Sequence, residues 1–274
     1  MGIQVEDIVY QSPDGAPLLA RLYRPEGPGP FPAVLEVHGG AWTGGDRLNN
    51  VAIAESLAAD GIVVLSIDFR MPPVGRYPVS CQDVNLGIRW LKAHATEFGS
   101  RPEWVGGLGT SSGGHLLLLS ALRPTDPRYT VLPLAGSDVD ASLAFAIACW
   151  PVADPLKRYN TVKAVGNTRL AAAHDAFWPS VAEMTDANPT LILIRGEAGV
   201  LPPALVIQGT QDNNLTPDMT GAFAMAYAAA GGKVTFESFP GQPHAFIPSS
   251  PAAPDSVRAL EIIKGFIHRV AGSI

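Results

Sequence analysis

Short runs of apolar residues recur along the chain, separated by longer stretches with the periodicity of amphipathic helices. Eight of these runs are strand candidates: VEDIVYQS (5–12), PLLARLYRP (17–25), PAVLEVHG (32–39), IVVLSIDF (62–69), WVGGLGT (104–110), LAFAIACW (143–150), ALVIQGT (204–210) and KVTFESFP (233–240). Strands that alternate with helices pack as a mostly parallel sheet with helices on its faces. The pattern therefore predicts an α/β fold with a mostly parallel eight-stranded sheet.

The first two strand candidates differ from the other six. They alternate apolar and polar residues, and the turn cluster from Ser12 to Gly15 separates them. We expect them to form an antiparallel hairpin at an edge of the sheet, because such strands have one solvent-facing side. The other six candidates have the composition of buried strands.

Helix candidates lie between the strands. They cover Leu48–Ala59, Ser80–Glu97, Ser111–Ala121, Pro217–Ala230 and Asp255–Val270. Three of them run up to Gly61, Gly99 and Gly231, and glycine readily adopts the left-handed conformation that closes a helix.

Residues 152–200 interrupt this alternation. The segment contains Pro155, Tyr159, Phe177, Trp178 and Pro179, and a helical run from Thr190 to Glu197. An excursion of that length is seldom bare loop, so we expect a small cap over the sheet. The chain is then one domain, 1–274, with the cap at 152–200 inserted in it.

Composition excludes several classes of function. Apolar residues make up 47% of the chain and charged residues 16%, which suffices for a large core. The net charge of -6, without a basic run, argues against nucleic acid or an anionic membrane as partner. The acidic start does not resemble a signal peptide, and no stretch is apolar enough to span a membrane. With Cys81 and Cys149 expected as reduced core residues, these features predict a cytoplasmic protein.

The strongest chemical signal is Gly109-Thr110-Ser111-Ser112-Gly113, which lies between a buried strand and a helix. A sharp strand-to-helix turn needs small residues on either side, and it leaves the central serine exposed at its apex. The serine could serve only as a helix cap. Its position directly after a buried strand favours Ser111 as a nucleophile.

A second signal is His38-Gly39-Gly40-Ala41-Trp42, directly after the third strand candidate. Acyl transfer develops negative charge on a carbonyl oxygen, and unhindered backbone N–H groups in such a loop can stabilise it. Alone, the motif could be a tight turn. Its combination with the serine turn favours an oxyanion loop.

With these motifs the chain resembles the α/β-hydrolase family of carboxylesterases, in particular the branch with an HGGxW loop. That branch includes hormone-sensitive-lipase-like, acetyl-xylan and feruloyl esterases and the arylformamidases. The resemblance extends over almost the whole chain, through HGGAW (38–42), GD (45–46), DFR (68–70), DVNLGIRWLKAHATEFG (83–99) and GTSSGGH (109–115). Two positions depart from the family pattern: Ser112 stands where alanine is usual, and Phe69 where lipase-like relatives typically carry tyrosine.

The resemblance implies roles for the loop residues. The oxyanion donors would be the backbone N–H groups of Gly40, Ala41 and Ser112, with Gly39 a substitute for one of the first two. His38 would hold the loop.

The fold also implies the order serine, acid, histidine along the chain, with the acid and the base each following a late strand. Asp212 follows ALVIQGT and His244 follows KVTFESFP, so they are the expected acid and base. Asp154, Asp218 and His115 are rivals that fit this order less well.

The expected activity is that of a serine hydrolase, a carboxylic ester hydrolase that cleaves short-chain or aromatic esters through an acyl-enzyme on Ser111. It needs no cofactor, and no metal-ligand spacing is visible. Two alternatives remain. One is an arylformamidase or another amide- or lactone-cleaving hydrolase, because the nucleophile does not reveal the leaving group. The other is a ligand receptor on a hydrolase scaffold, for which we would expect a broken triad.

Aromatic residues near these motifs suggest a substrate pocket. Trp42 follows the oxyanion loop, Trp150 ends a strand, and Trp178 lies in the predicted cap. Ligand sites are commonly apolar concavities lined by aromatic side chains. We therefore expect Trp42, Trp150 and Trp178 to bind substrate.

Overall fold

The computed structural model describes residues 2–273, so residues 1 and 274 at the ends of the predicted domain lie outside it. Its centre is an eight-stranded sheet in the order β1-β2-β4-β3-β5-β6-β7-β8. The strands are β1 Ile3–Gln11, β2 Leu18–Pro25, β3 Ala33–Val37, β4 Val63–Ile67, β5 Val105–Thr110, β6 Ala146–Cys149, β7 Ala204–Gly209 and β8 Val234–Phe239. All eight predicted strands are present.

The pairing of the strands follows the sequence pattern closely. β1 pairs antiparallel with β2, and β2 antiparallel with β4, whereas the strands from β4 to β8 pair in parallel. The predicted edge hairpin is thus confirmed. The expectation that the last strand is buried was wrong, because β8 lies at the other edge and, within residues 2–273, pairs with β7 alone. Its Phe236 side chain is 38% exposed.

Ten α-helices connect or follow the strands in the described part of the chain. They are α1 Val51–Ala59, α2 Val79–His94, α3 Ser111–Leu122, α4 Pro155–Ala164, α5 Thr168–Phe177, α6 Val181–Asp186, α7 Pro189–Ile194, α8 Pro217–Ala229, α9 Phe246–Ser249 and α10 Pro254–Ala271. The five predicted connecting helices are all present. The largest shifts are at the start of α1, where the chain first makes a turn from residue 47 to residue 50, and at the end of α2, which ends at His94 rather than Glu97.

The core has two layers, one on each face of the sheet. On β3, Leu35 packs in the layer that contains α2 and α3, and Val34 packs in the layer that contains α1 and α10. Because successive side chains of a strand point to opposite faces, a fully apolar strand can contribute to both layers. This explains the runs of Val, Ile and Leu in strands such as β4 and β7.

The segment between β6 and β7 folds into the four helices α4 to α7. Each begins after a residue whose side chain accepts a hydrogen bond from the backbone N–H three residues later: Asp154, Asn167, Ser180 and Asn188. Such caps satisfy N–H groups that have no partner within the helix. Only the last of these helices is predicted by the sequence pattern, and it ends at Ile194 rather than Glu197.

Within residues 2–273, no helix combines the length and the apolar character needed to cross a bilayer. Cys81 and Cys149 are both buried and unpaired, as expected for reduced core residues.

Candidate active site

The serine turn lies where β5 meets α3. Ser111 has a φ of 53°, a left-handed conformation that is uncommon outside glycine. A Cβ atom at Gly109 would lie 2.7 Å from the carbonyl oxygen of Gly113, and one at Gly113 would lie 2.2 Å from those of Val37 and His38. Both glycines are therefore required by close backbone packing. The turn leaves the Ser111 side chain on the wall of a cavity.

Asp212 and His244 follow the neighbouring strands β7 and β8 and converge on Ser111. The Nδ1 atom of His244 lies 2.7 Å from Asp212 Oδ2, and its Nε2 atom lies 3.1 Å from Ser111 Oγ. An ionised carboxylate can only accept, so the proton of the neutral imidazole belongs on Nδ1. The Nε2 atom is then free to accept the proton of the Ser111 hydroxyl.

Several groups hold the Asp212 carboxylate in place. Its Oδ1 atom accepts hydrogen bonds from the backbone N–H groups of Asn214 and Leu215, and its Oδ2 atom accepts from Gln208 as well as His244. Burial alone would raise the pKa of Asp212, but the hydrogen bonds from His244, Leu215 and Asn214 outweigh it and hold that pKa below its usual value. The carboxylate is thus kept ionised beside the imidazole.

The rival residues are used elsewhere. Asp154 caps α4 and accepts a hydrogen bond from Asn188, and Asp218 forms an exposed ion pair with Lys157. His115 is fully buried, and its ring nitrogens contact the Trp42 indole N–H and the carbonyl of Ala187. Burial lowers the pKa of His115 to about 4.

The loop after β3 has an unusual backbone. Gly40, Ala41 and Trp42 have φ values of 122°, 54° and 62°. At Gly40 a Cβ atom would lie 1.8 Å from the carbonyl oxygen of Gly44, so only glycine fits there. His38 lies beneath the loop, where its Nδ1 atom donates to the carbonyl of Gly39 at 2.6 Å.

The predicted oxyanion donors adjoin the serine. Gly40 and Ala41 line the same cavity as Ser111, and their N–H groups have no acceptor within residues 2–273. The N–H group of Ser112 is in the first turn of α3, where no intrahelical acceptor exists. The sequence analysis treated Ser112 as a backbone donor only. Its hydroxyl also accepts a hydrogen bond from the N–H group of Trp42 at 3.1 Å, inside the protein.

The cavity in front of Ser111 has a volume of about 480 Å³. Trp150 and His244 line it on one side, with their ring centroids 6.2 Å apart. The segment between β6 and β7 contributes Arg158, Arg169 and Leu170. These three residues could not be recognised from the sequence, because nothing in an irregular segment indicates which side chains of its short helices turn towards the sheet.

Two of the three tryptophans expected to bind substrate do not line this cavity. Trp42 is fully buried, and its ring stacks on Phe177 at a centroid distance of 4.9 Å and an angle of 5°. Trp178 packs edge-on against Trp42 and is 4% exposed. The left-handed backbone at Trp42 and the hydrogen bond from its indole to His115 keep the ring in the core. Of the three predicted contacts, only Trp150 is on the cavity wall.

Comparison with known proteins agrees with the fold of this chain. The model of a family described as having the alpha/beta hydrolase fold matches residues 34–248. The chain belongs to the α/β-hydrolase family. Esterase LipC of Mycobacterium tuberculosis (strain ATCC 25618 / H37Rv) is 31% identical to this α/β hydrolase over 222 residues, which are 79% of this chain and 53% of LipC. Carboxylic ester hydrolase LipN of the same strain is 28% identical over 255 residues, 89% of this chain and 65% of LipN. The chain thus spans about half to two thirds of the length of these curated relatives.

Solved structures share the fold. An esterase from Pyrobaculum calidifontis superposes with a TM-score of 0.80 at 22% identity, over 98% of this chain and 84% of that one. The propionate-bound esterase Est2 from Thermogutta terrifontis superposes with a TM-score of 0.76 at 23% identity, over 98% and 94% of the two chains.

Proposed function

We propose that this α/β hydrolase is a serine carboxylesterase in which Ser111 is the nucleophile, His244 the general base and Asp212 the acid that orients it. The observation that carries the proposal is the continuous relay from Asp212 Oδ2 through the imidazole to Ser111 Oγ, with contacts of 2.7 Å and 3.1 Å. A nucleophile within reach of a base that a third group orients is the arrangement on which covalent acyl transfer depends. A receptor on this scaffold would have no need of an intact relay.

The reaction then has two steps. His244 takes the proton of Ser111 as the hydroxyl oxygen attacks the ester carbonyl, and it returns that proton to the departing alcohol. Water, activated by the same imidazole, releases the acid from the acyl-enzyme. In both steps the N–H groups of Gly40, Ala41 and Ser112 would stabilise the tetrahedral oxyanion. The chain's own groups supply the base, the acid and the donors, so the proposal includes no cofactor.

The names of the relatives that the chain resembles favour esters over formamides as its substrates. LipC is named an esterase and LipN a carboxylic ester hydrolase. A cavity of about 480 Å³ is within the range of small-ligand sites. We therefore propose short-chain or aromatic esters, with acyl chains up to about eight carbons.

The segment 152–200 acts in this proposal as a cap within a single domain. Arg158, Arg169 and Leu170 of that segment line the cavity, which supports such a role. The net charge of -6 and the two unpaired cysteines suit an enzyme of the cytoplasm that acts on a small ester rather than on nucleic acid or a membrane.

The test is hydrolysis of a 4-nitrophenyl ester series from acetate to palmitate, with N-formylkynurenine as the formamide. We expect the highest kcat/KM for short acyl chains and little cleavage of the formamide. Faster hydrolysis of N-formylkynurenine than of every ester would assign the enzyme to the formamidases. A preference for palmitate over butyrate would contradict the short acyl site.

A further inference from the structure

The cavity in front of Ser111 has an uneven charge. Two arginines, Arg158 and Arg169, are on its wall, and no aspartate or glutamate among the described residues lines it. The protein as a whole carries a net charge of -6. Positively charged residues on the cavity wall of a protein with a negative net charge indicate that the site binds a negatively charged ligand.

Arg158 is unusual because its guanidinium is buried without a carboxylate partner. The residue is 1% exposed, and within residues 2–273 it forms no ion pair. Its Nε and Nη2 atoms donate to the same oxygen, Oδ1 of Asn214, and its Nη1 atom donates to His174 Nε2. A guanidinium has five N–H donors, so two of the five have no acceptor in the described protein.

The electrostatic surroundings of Arg158 point in the same direction as its hydrogen bonds. Burial lowers the pKa of Arg158 to about 10, and the positive charge of Arg169 acts in the same direction. Asp212 opposes this shift, but that carboxylate already accepts hydrogen bonds from His244, Gln208 and two backbone N–H groups. The Trp42 ring, 5.5 Å from Arg158 Cζ, offsets part of this charge. A buried charge without a counter-charge is still costly, so a bound anion would supply what the protein lacks.

Space for such an anion lies in the cavity itself, whose wall holds both Arg158 and Arg169. A second depression of about 680 Å³ adjoins the cavity and shares Arg169, Leu170, Asn214 and His244 with it, but Arg158 does not line this depression. Arg169 is exposed and adds its charge where the two cavities meet. A substrate with its ester at Ser111 could therefore extend a charged end towards both arginines.

We propose that the enzyme is selective for esters that carry a carboxylate, which Arg158 and Arg169 bind. The inference rests on the proposed esterase function and narrows its substrate class. The planar fork of a guanidinium matches a carboxylate in two parallel hydrogen bonds, and the two spare N–H groups of Arg158 are the donors available for them. Neutral esters leave the guanidinium without a counter-charge.

The test compares two esters of the same acyl length, 4-nitrophenyl hydrogen adipate and 4-nitrophenyl hexanoate, after correction for their spontaneous hydrolysis. We expect the parent to favour the charged ester in kcat/KM by about tenfold to a hundredfold, as for a charge-assisted hydrogen bond pair. A second pair, 3-acetoxybenzoate and phenyl acetate, puts the carboxylate on the alcohol side. Preference for the charged member of either pair supports the proposal, and preference for the neutral member of both overturns it.

Substitution of Arg158 and Arg169 tests whether these residues cause the selectivity for the charged ester. In Arg158→Met and Arg169→Gln we expect the ratio of charged to neutral kcat/KM to fall about tenfold or more, and in Arg158→Lys by less. Arg195→Gln is the matched control, because Arg195 is an exposed arginine at the end of α7 that lies outside the cavity wall. An unchanged ratio in Arg169→Gln and both Arg158 variants would overturn the proposal.

Binding separates this inference from the esterase proposal itself. Calorimetric titration of Ser111→Ala with the two 4-nitrophenyl esters measures recognition without turnover. Tighter binding of the adipate ester, weakened by 0.5 M NaCl, supports the carboxylate site even if no ester is hydrolysed by the parent. Equal or weaker binding of the adipate ester overturns the carboxylate site, even where the parent hydrolyses neutral esters well.

Discussion

The hydroxyl of Ser112 accepts a hydrogen bond from the backbone N–H group of Trp42 at 3.1 Å. This bond joins the loop after β3 to the first turn of α3, the two segments that carry the proposed oxyanion donors. The backbone from Gly40 to Trp42 is left-handed throughout, so an external hydrogen bond helps to hold a conformation that side chains other than glycine disfavour. The serine at position 112, where the family pattern has alanine, thus fixes the loop.

The first prediction follows from this bond. Ser112→Ala leaves the N–H group of Trp42 buried without a partner, so we expect kcat for 4-nitrophenyl butyrate to fall about tenfold or more and the free energy of unfolding to fall by about 1–3 kcal/mol. Ser120→Ala is the control, because Ser120 is on the same helix, buried, and has no partner for its hydroxyl within the described chain. Equal kcat values for the two variants would remove the role assigned to the Ser112 hydroxyl.

The second prediction concerns the acid. Asp212→Asn should lower kcat by about 10⁴-fold, because an amide cannot hold the imidazole in the tautomer that accepts the Ser111 proton. Asp218→Asn, which removes only an exposed ion pair with Lys157, should retain most of the activity. Steady-state kinetics of both variants check this ranking, and the reverse ranking would transfer the role of the acid to Asp218.

The third prediction is a pH dependence of stability. Glu36 lies on β3 beneath the cavity, and burial raises its pKa from 4.5 to about 7, an effect that Asn50 and Ser66 partly offset. Between these pH values the unfolded state releases a proton that the folded state keeps, so stability falls as the pH rises.

Glu36→Gln removes this dependence. As the pH rises from 5 to 8, the difference in free energy of unfolding between the variant and the parent should therefore shift by about 2–3 kcal/mol in favour of the variant. Urea unfolding of both proteins at the two pH values measures the difference. If the free energy of unfolding changes by the same amount between the two pH values in the parent and the variant, Glu36 does not titrate in this range.

The fourth prediction concerns Trp178, which packs in the core and does not line the cavity. Trp178→Ala should lower the free energy of unfolding by about 3–5 kcal/mol and leave the relative rates for acetate to octanoate esters unchanged, because the ring packs against Trp42. Leu170→Ala, on the cavity wall, should instead extend the profile to longer acyl chains. A change in the relative rates for these esters in the Trp178 variant would show that the Trp178 ring contacts the substrate.

Much of the fold could be predicted because its signals are local. Apolar runs in the inner strands and alternating apolar and polar residues in the first two indicated all eight strands, and the glycines at 61, 99 and 231 marked ends of helices or of the turns after them. The relay residues could be proposed because the order of the strands restricts where an acid and a base can stand. The exposure of Phe236 could not be predicted, since it depends on β8 having a neighbour on one side only.

The pocket was harder to predict for a physical reason. Trp42 follows the cavity-lining residues in sequence, but its left-handed backbone leaves the ring in the core. Arg158 lies on the cavity wall because it is in the short helix α4 of the segment inserted between β6 and β7. Neither outcome follows from residue type or spacing, because each depends on contacts between segments that are distant in sequence.

Covalent labelling with a fluorophosphonate, followed by peptide mass spectrometry, tests directly whether Ser111 is the nucleophile. We expect one adduct on Ser111 in the parent and in Ser238→Ala, whose serine is exposed on β8. In Ser111→Ala we expect no adduct, together with a loss of kcat of about 10⁴-fold or more. An adduct on another serine, or near-parental turnover by Ser111→Ala, would contradict the assignment of Ser111.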